Sequence, residues 1–168
     1  MTVYHTILKR RTIRKYSNKE VSQEKIEQLL RAAMAAPSAN NKKPWLFYVV
    51  KNKEIQEQLK KVYSFFDYNS PLLIVVAGNL ESQRSKTTDF WQQDCSAAVQ
   101  NILLLATELG LGSCWCGIYP RKEREQAIRK ILNLTDEIVP LALIHLGYPA
   151  EEKSARTQYE EAKVIEIS

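Results

Sequence analysis

The stretch 95–109 carries Ala97, Ala98, Val99, Ile102, Leu103, Leu104, Leu105, Ala106 and Leu109, so a helix formed there is apolar on nearly every side. Such a helix cannot lie on a surface and has to be covered. The chain supplies the cover in three apolar runs: 45–50, too continuous for a half-exposed strand and read as buried on both faces, 72–77, a second buried strand, and 138–146, a third long strand. Ser22 caps a predicted helix over 23–35, in which Ile26, Leu29, Leu30, Ala33 and Met34 form one stripe. Asn52 caps another, with Ile55, Leu59, Val62 and Phe66 on one side. A short helix is expected at 3–9 and a charged one at 121–132, the latter turning Ala127, Ile128, Ile131 and Leu132 inward. Gly110 and Gly112 end the apolar helix as glycine caps do. Ala97 and Ala98 would let a second helix approach closely, which predicts a dimer interface; the core helix of a monomer is the alternative.

With 168 residues, no internal repeat and no linker, a single domain over 1–168 is expected. Residues 79–90 lack a clear period and predict a mobile loop or short helix, a candidate lid. The tail at 150–168 is highly charged, and 163–167 could pair as an edge strand, more stably when added to a partner's sheet. Three cysteines, Cys95, Cys114 and Cys116, in a chain whose start lacks a signal-peptide core argue against a disulfide framework and for the cytoplasm. No apolar run is long enough for a membrane span. Cys114 and Cys116 suggest a metal or redox pair, but the two histidines, His5 and His145, are remote in sequence, so no metal is expected. The excess of 24 Lys and Arg over 19 Asp and Glu is dispersed along helices, which suits a phosphate-bearing ligand better than nucleic acid.

Two polar stretches stand out. Pro37 and Pro44 pin a helix-to-strand connection in which Ser38, Asn40 and Asn41 offer short bonding groups, closed by Trp45. It reads either as a rigid binding rim or as a proline-bounded surface turn. In 9–16, an extended chain would turn Arg10, Thr12 and Arg14 one way and Arg11, Ile13 and Lys15 the other. Two guanidinium forks around a hydroxyl suit a phosphate, though a solvated basic patch is the plain alternative. Nucleotide-binding glycine loops and the familiar zinc and serine-hydrolase motifs are missing from the sequence. The side chains thus offer anion and dipole ligands rather than reactive groups, and a bound cofactor would supply the chemistry.

The stretches Arg10-Arg11-Thr12-Ile13-Arg14, Ala36-Pro37-Ser38-Ala39-Asn40-Asn41-Lys42-Lys43-Pro44-Trp45, Gly110-Leu111-Gly112-Ser113-Cys114-Trp115-Cys116-Gly117 and Leu146-Gly147-Tyr148-Pro149, in this order and spacing, resemble the nitroreductase family of FMN-dependent oxidoreductases in its compact form. The resemblance covers nearly the whole chain. It implies an α+β fold, a mixed or antiparallel sheet flanked by helices, in an intertwined homodimer with two FMN sites at the interface. It assigns Arg10, Arg11, Thr12 and Arg14 to the flavin phosphate and the pyrimidine edge of the ring. Pro37, Ser38, Ala39 and Asn41 would come from the second subunit, Cys116 and Gly117 would lie against the ring, and Lys153 and Arg156 would reach the phosphate. Thr12 replaces the family's serine and keeps its hydroxyl, whereas Lys43 stands where glutamine is usual. The implied activity is hydride transfer from NAD(P)H through FMN to nitroaromatic, quinone or related small acceptors by a ping-pong route, with no side chain acting as acid or base. A non-catalytic flavin carrier or basic interaction module is the alternative.

Overall fold

The computed structural model describes residues 1–63, 68–83 and 90–167. Its helices are α1 (Val3–Lys9), α2 (Gln23–Met34), α3 (Lys53–Lys61), α4 (Trp91–Glu108) and α5 (Lys122–Leu132), and its strands are β1 (Trp45–Val50), β2 (Leu72–Asn79), β3 (Gly112–Gly117) and β4 (Ile138–Gly147). The strands form one sheet in the order β1-β2-β4-β3, and every pairing in it is antiparallel.

Of the three apolar runs, those of β2 and β4 are the central pair. Successive side chains of β2 enter opposite cores, as the strand period requires. Leu72, Ile74 and Val76 join the cluster formed with α2 and α4, which includes Leu29, Ala33, Val99 and Ile102. Leu73 and Val75 join a second cluster with Leu59 of α3, Ile128 of α5, Tyr63, Tyr68, Cys114 and Cys116. The sheet is therefore a middle layer between α2 with α4 and α3 with α5. Helix α4 is buried at Trp91, Asp94, Cys95, Ala98, Val99, Ile102, Leu103 and Ala106, the cover that its composition demands.

Side-chain caps form where the sequence places them. Ser22 accepts from the Lys25 N–H and Asn52 from the Ile55 N–H. Gly110 follows α4 at φ +72°, a left-handed closure that glycine adopts without steric cost. Pro140, which lacks an N–H, sits at an irregularity in the β2–β4 ladder. Ala77 pairs with Pro140 and Val76 with Ala142, leaving Leu141 as the extra residue. The Leu141 carbonyl then takes the Ile118 and Tyr119 N–H groups at 2.9 and 3.2 Å, just past the end of β3.

Several expectations need correction. β1 is an outer strand with neighbours on one side only, so its interior positions are half-buried rather than buried on both faces. Residues 112–117 form a fourth strand that the sequence did not signal, because its glycines, serine and cysteines carry little apolar alternation. Within the single chain the stretch 163–167 pairs with no strand: Lys163 ends a short 3-10 helix (Glu161–Lys163), and Ile165 and Ile167 are exposed. Met34, expected in the α2 stripe, is exposed, as are Val3, Tyr4 and Ile7 of α1, where Thr6 is the buried residue. Phe66 and residues 84–89 of the expected lid lie outside the described residues. Among the described residues no helix is long and apolar enough to cross a membrane.

At Gly78 an added Cβ would stand 2.5 Å from the ring of Trp91, which is itself buried and meets Tyr119 edge-on at 5.0 Å. Gly78→Ala is expected to lower stability by about 1–3 kcal/mol, the usual cost of overpacking a rigid core, read as a shifted urea midpoint with an unchanged slope.

Candidate functional site

The chain from Arg10 to Tyr16 is held extended by long-range partners. Thr12 bridges Ser113 in parallel, the Ile13 N–H donates to the Ser113 carbonyl at 2.9 Å, and Tyr16 bridges Pro149. Ile13 is buried, and it lies so close to Gly112 that a Cβ there would be 2.8 Å from the Ile13 Cβ. The segment thus continues the sheet past β3, alternating a buried Ile13 with more open neighbours.

The early tail runs back along this segment and fastens it. The Ala150 N–H donates to Lys15 at 2.9 Å and the Arg156 N–H to Leu8 at 3.2 Å. Arg11 donates to the Ser154 carbonyl. Lys153 Nζ reaches the Thr12 carbonyl at 2.6 Å and the Glu151 carboxylate at 3.3 Å. That carboxylate accepts the Arg14 and Lys15 N–H groups at 2.6 and 3.2 Å, and these bonds, the Arg14 one foremost, hold its pKa below the ordinary carboxylate value. Glu151 was not a sequence candidate. Nothing local marks it, since it acts on backbone groups more than a hundred residues away.

Beyond Ser113 the outer edge of β3 meets a second group of side chains. Cys114 and Cys116 turn inward from this strand while Trp115 between them is exposed. Their sulfurs are 3.8 Å apart, and each lies within 3.9 Å of the Tyr68 hydroxyl. Although burial works against its charge, the Tyr68 hydrogen bond and the neighbouring thiols leave the Arg14 pKa above its ordinary value. Tyr68 stacks on His145 at 4.2 Å, and His145 shares a 2.8 Å hydrogen bond with Ser70 through Nδ1. Burial takes the His145 pKa down to about 3, so the ring is neutral at pH 7, and its Nε2 has no partner among the described residues. Gly117, next along, has an open side: a Cβ there would meet nothing within 4 Å. Its carbonyl is tied on the other side by Tyr63 and Arg124, both at 2.9 Å. Tyr68 escaped the sequence reading too, because the groups that meet it, Cys114, Cys116 and His145, lie 46 or more residues away.

The proline-bounded connection is anchored elsewhere. It forms a short 3-10 helix (Ala39–Asn41), with Asn40, Asn41 and Lys43 all at positive φ, between +51° and +55°. Asparagine tolerates that region; lysine does not do so readily. The strain is held by the Ser38 hydroxyl accepting the Lys43 N–H at 3.0 Å and by Asp94 Oδ1 of α4 accepting the Ala39 N–H at 3.0 Å. Asp94 is buried, and its other oxygen has no partner among the described residues. Pro37, Ser38 and Ala39 line a cavity of about 400 Å³ with Asp94 and Ala97.

Within one chain, then, the fold gathers Arg10, Arg11, Thr12, Arg14, Lys153, Arg156, Cys116 and Gly117 about the outer strand and the tail. It fixes Pro37, Ser38, Ala39 and Asn41 at the start of α4, the first three lining a different cavity from the one of about 520 Å³ lined by Arg11 and Lys153.

The chain matches the model of the nitroreductase family over residues 7–64 and 55–148. It is 41% identical, over 98% of its own length and 86% of the relative's, to a protein of Methanothermobacter thermautotrophicus provisionally named NADH dehydrogenase/NAD(P)H nitroreductase. It is similar in structure to an FMN-dependent nitroreductase of Clostridium difficile, with a TM-score of 0.88 at 34% identity, covering 97% of this chain and 98% of the other. A provisionally named nitroreductase of Desulfovibrio desulfuricans, solved in complex with FMN, matches with a TM-score of 0.82 at 29% identity over 100% and 98% of the two chains.

Two outcomes follow from the anchoring. Because the folded Glu151 pKa is depressed, its grip is full above the ordinary carboxylate value of 4.5 and is lost as pH falls through the lower folded value. The protection of the Arg14 and Lys15 amides, read as exchange relative to an unstructured peptide at the same pH, should therefore fall in the wild type as pH drops from 4.5 through the lower folded value, and be low already at pH 7 in Glu151→Ala. Lys43→Gly should raise stability by about 1 kcal/mol, seen as a higher Tm, since it relieves a left-handed lysine and keeps the Ser38 bond to the backbone.

Proposed function

The chain belongs to the nitroreductase family, and from that premise we propose that it is an FMN-dependent oxidoreductase, a single domain over 1–168 that works as a homodimer, passing hydride from NAD(P)H to nitroaromatic, quinone or related small electrophiles by a ping-pong route. The observation that carries this reading is the basic segment at 10–14 pinned along the outer strand β3, with Lys153 brought to Thr12 and the open side of Gly117 on the same strand.

These residues fit a phosphorylated, planar ligand. Arg10, Arg14 and Arg156, with the Thr12 hydroxyl, offer charge-assisted donors for a phosphate and for the polar edge of a ring. Gly117 leaves room for a flat face to approach. Bound FMN would supply the redox chemistry, taking up hydride from the nicotinamide and yielding it to the acceptor. The chain's part is to bind, orient and stabilise. Arg14, kept cationic, stabilises negative charge that develops at the polar edge of its ligand, as a preorganised donor does. No side chain here has to carry a proton: the buried His145 is neutral and held in place by Ser70 and Tyr68.

The second copy would complete the site with Pro37, Ser38, Ala39 and Asn41, whose rigid loop is anchored away from the Arg10 segment. Exposed Val3, Tyr4, Ile7 and Met34, and a groove of about 300 Å³ lined by Met1, Val3, Leu104 and Leu105, offer the apolar area that a partner copy would cover. The tail's exposed Ile165 and Ile167 would do the same. A cytoplasmic location accords with three cysteines that are free thiols.

Purified protein should be yellow, with a flavin absorption spectrum that bleaches on adding NAD(P)H and recovers on adding a nitroaromatic or quinone. Colourless protein that takes up no FMN from excess, or a flavoprotein that NAD(P)H never bleaches, would refute the proposal. Arg14→Ala should weaken FMN binding by about 10–100-fold, the worth of one lost charge-assisted hydrogen bond, measured by titrating flavin fluorescence.

A further inference from the structure

We propose that Cys114 and Cys116 are a redox-active dithiol, which a small two-electron oxidant of the diazene or disulfide class closes reversibly to an intramolecular disulfide. The inference rests on the thiols alone and does not depend on the flavin reading.

The two sulfurs share one face of β3 at 3.8 Å, sealed into the same cluster under Tyr68 and beside Tyr63, while the third cysteine is elsewhere. Cys95 belongs to the opposite core, donates to the Ala77 carbonyl, and is pushed up to about 12 by burial, so it is an inert thiol. Cys114 and Cys116 differ from each other. The Cys116 S–H hydrogen bond, aided by Tyr68 and Arg14, lowers the Cys114 pKa, and the same contact raises that of Cys116. Their roles divide accordingly: Cys114 is the attacking thiolate and Cys116 the resolving thiol.

Bridging residues two apart on a strand is possible but tight. Two residues of extended chain span about 6.5–6.8 Å, at the upper end of the Cα separations that disulfides bridge, up to about 6.8 Å. β3 has a full ladder on one side only, with β4, and on its other side is held at Ser113 by Thr12 and Ile13, so closure of the sulfurs from 3.8 Å has to be taken up within residues 114–116. A bond formed there is strained, hence easily reduced, which suits a reversible couple rather than a structural staple.

The step balances with a diazene as oxidant. The Cys114 thiolate adds to one nitrogen of the N=N bond, and the Cys116 sulfur then attacks the Cys114 sulfur and displaces that nitrogen. The disulfide forms, both thiol protons end on nitrogen, and the diazene leaves as the hydrazine. Closure also withdraws both sulfurs from their hydrogen bonds with the Tyr68 hydroxyl, which Arg14 also contacts, so the redox state of the pair reaches the Arg10–Arg14 segment.

The folded protein, with whatever flavin it carries, is treated with diamide, then unfolded and alkylated with N-ethylmaleimide. One alkyl group per chain, on Cys95, is expected in place of three, with the peptide spanning 114–116 two hydrogens lighter and dithiothreitol restoring all three. Cys95→Ser should close as the wild type does, and Cys116→Ala should not. Three alkyl groups per chain after diamide, or a disulfide that involves Cys95 or joins two chains, overturns the proposal.

Discussion

The burial of α4 against the central strands is the constraint from which the rest of the architecture follows. A helix with Ala98, Val99, Ile102, Leu103 and Ala106 turned into protein needs cover along its length, and β2, β4 and α2 provide it. Once β2 and β4 are central, their continuous apolar composition obliges the opposite face to be covered as well, by α3 and α5. The strands left for the margins, β1 and β3, are those that can tolerate partial exposure. The chemistry-bearing residues collect at the margin made by β3, where one edge of the sheet is available to the 10–16 segment and the tail.

This margin is built from backbone contacts more than from side-chain pairs. Thr12 and Ile13 meet Ser113, the tail returns along Lys15 and Leu8, and Glu151 gathers two N–H groups and the Lys153 ammonium. Cations brought together on a sheet edge repel one another. The Glu151 carboxylate at their backbone side offsets part of that repulsion. On the other side of the molecule the 37–43 loop holds three left-handed residues against Asp94 and Ser38. Strain of that kind persists where the surroundings fix it, and it keeps the loop in one shape for a ligand or a second copy.

The thiol pair belongs to the same margin but to different physics. Its setting is a dry cluster beneath Tyr68 and beside the neutral His145, and the proximity of two sulfurs and one hydroxyl replaces solvent as the source of their polarity. A flat ligand on the outer edge and a dithiol beneath it would share Arg14 and Tyr68 as neighbours, which links the two proposals without making either depend on the other.

Local rules sufficed for α2 and its Ser22 cap, the Asn52 cap of α3, the left-handed closure at Gly110 and the two central strands, because periodicity, capping and steric preference act within a few residues. The Arg10 to Arg14 face and the 37–41 loop were legible as polar groups for the same reason, and the order of the motifs carried the family. Folding decided the remainder. β3 became a strand because β4 offered it a ladder, not because its Gly, Ser and Cys residues favour one; Lys43 took a positive φ because Ser38 and Asp94 fix its loop. Glu151, Tyr68, Asp94 and His145 acquired their roles from partners 46 or more residues distant. Spacing along the chain records which groups are available, whereas their meeting depends on register and loop closure, which are properties of the packed whole.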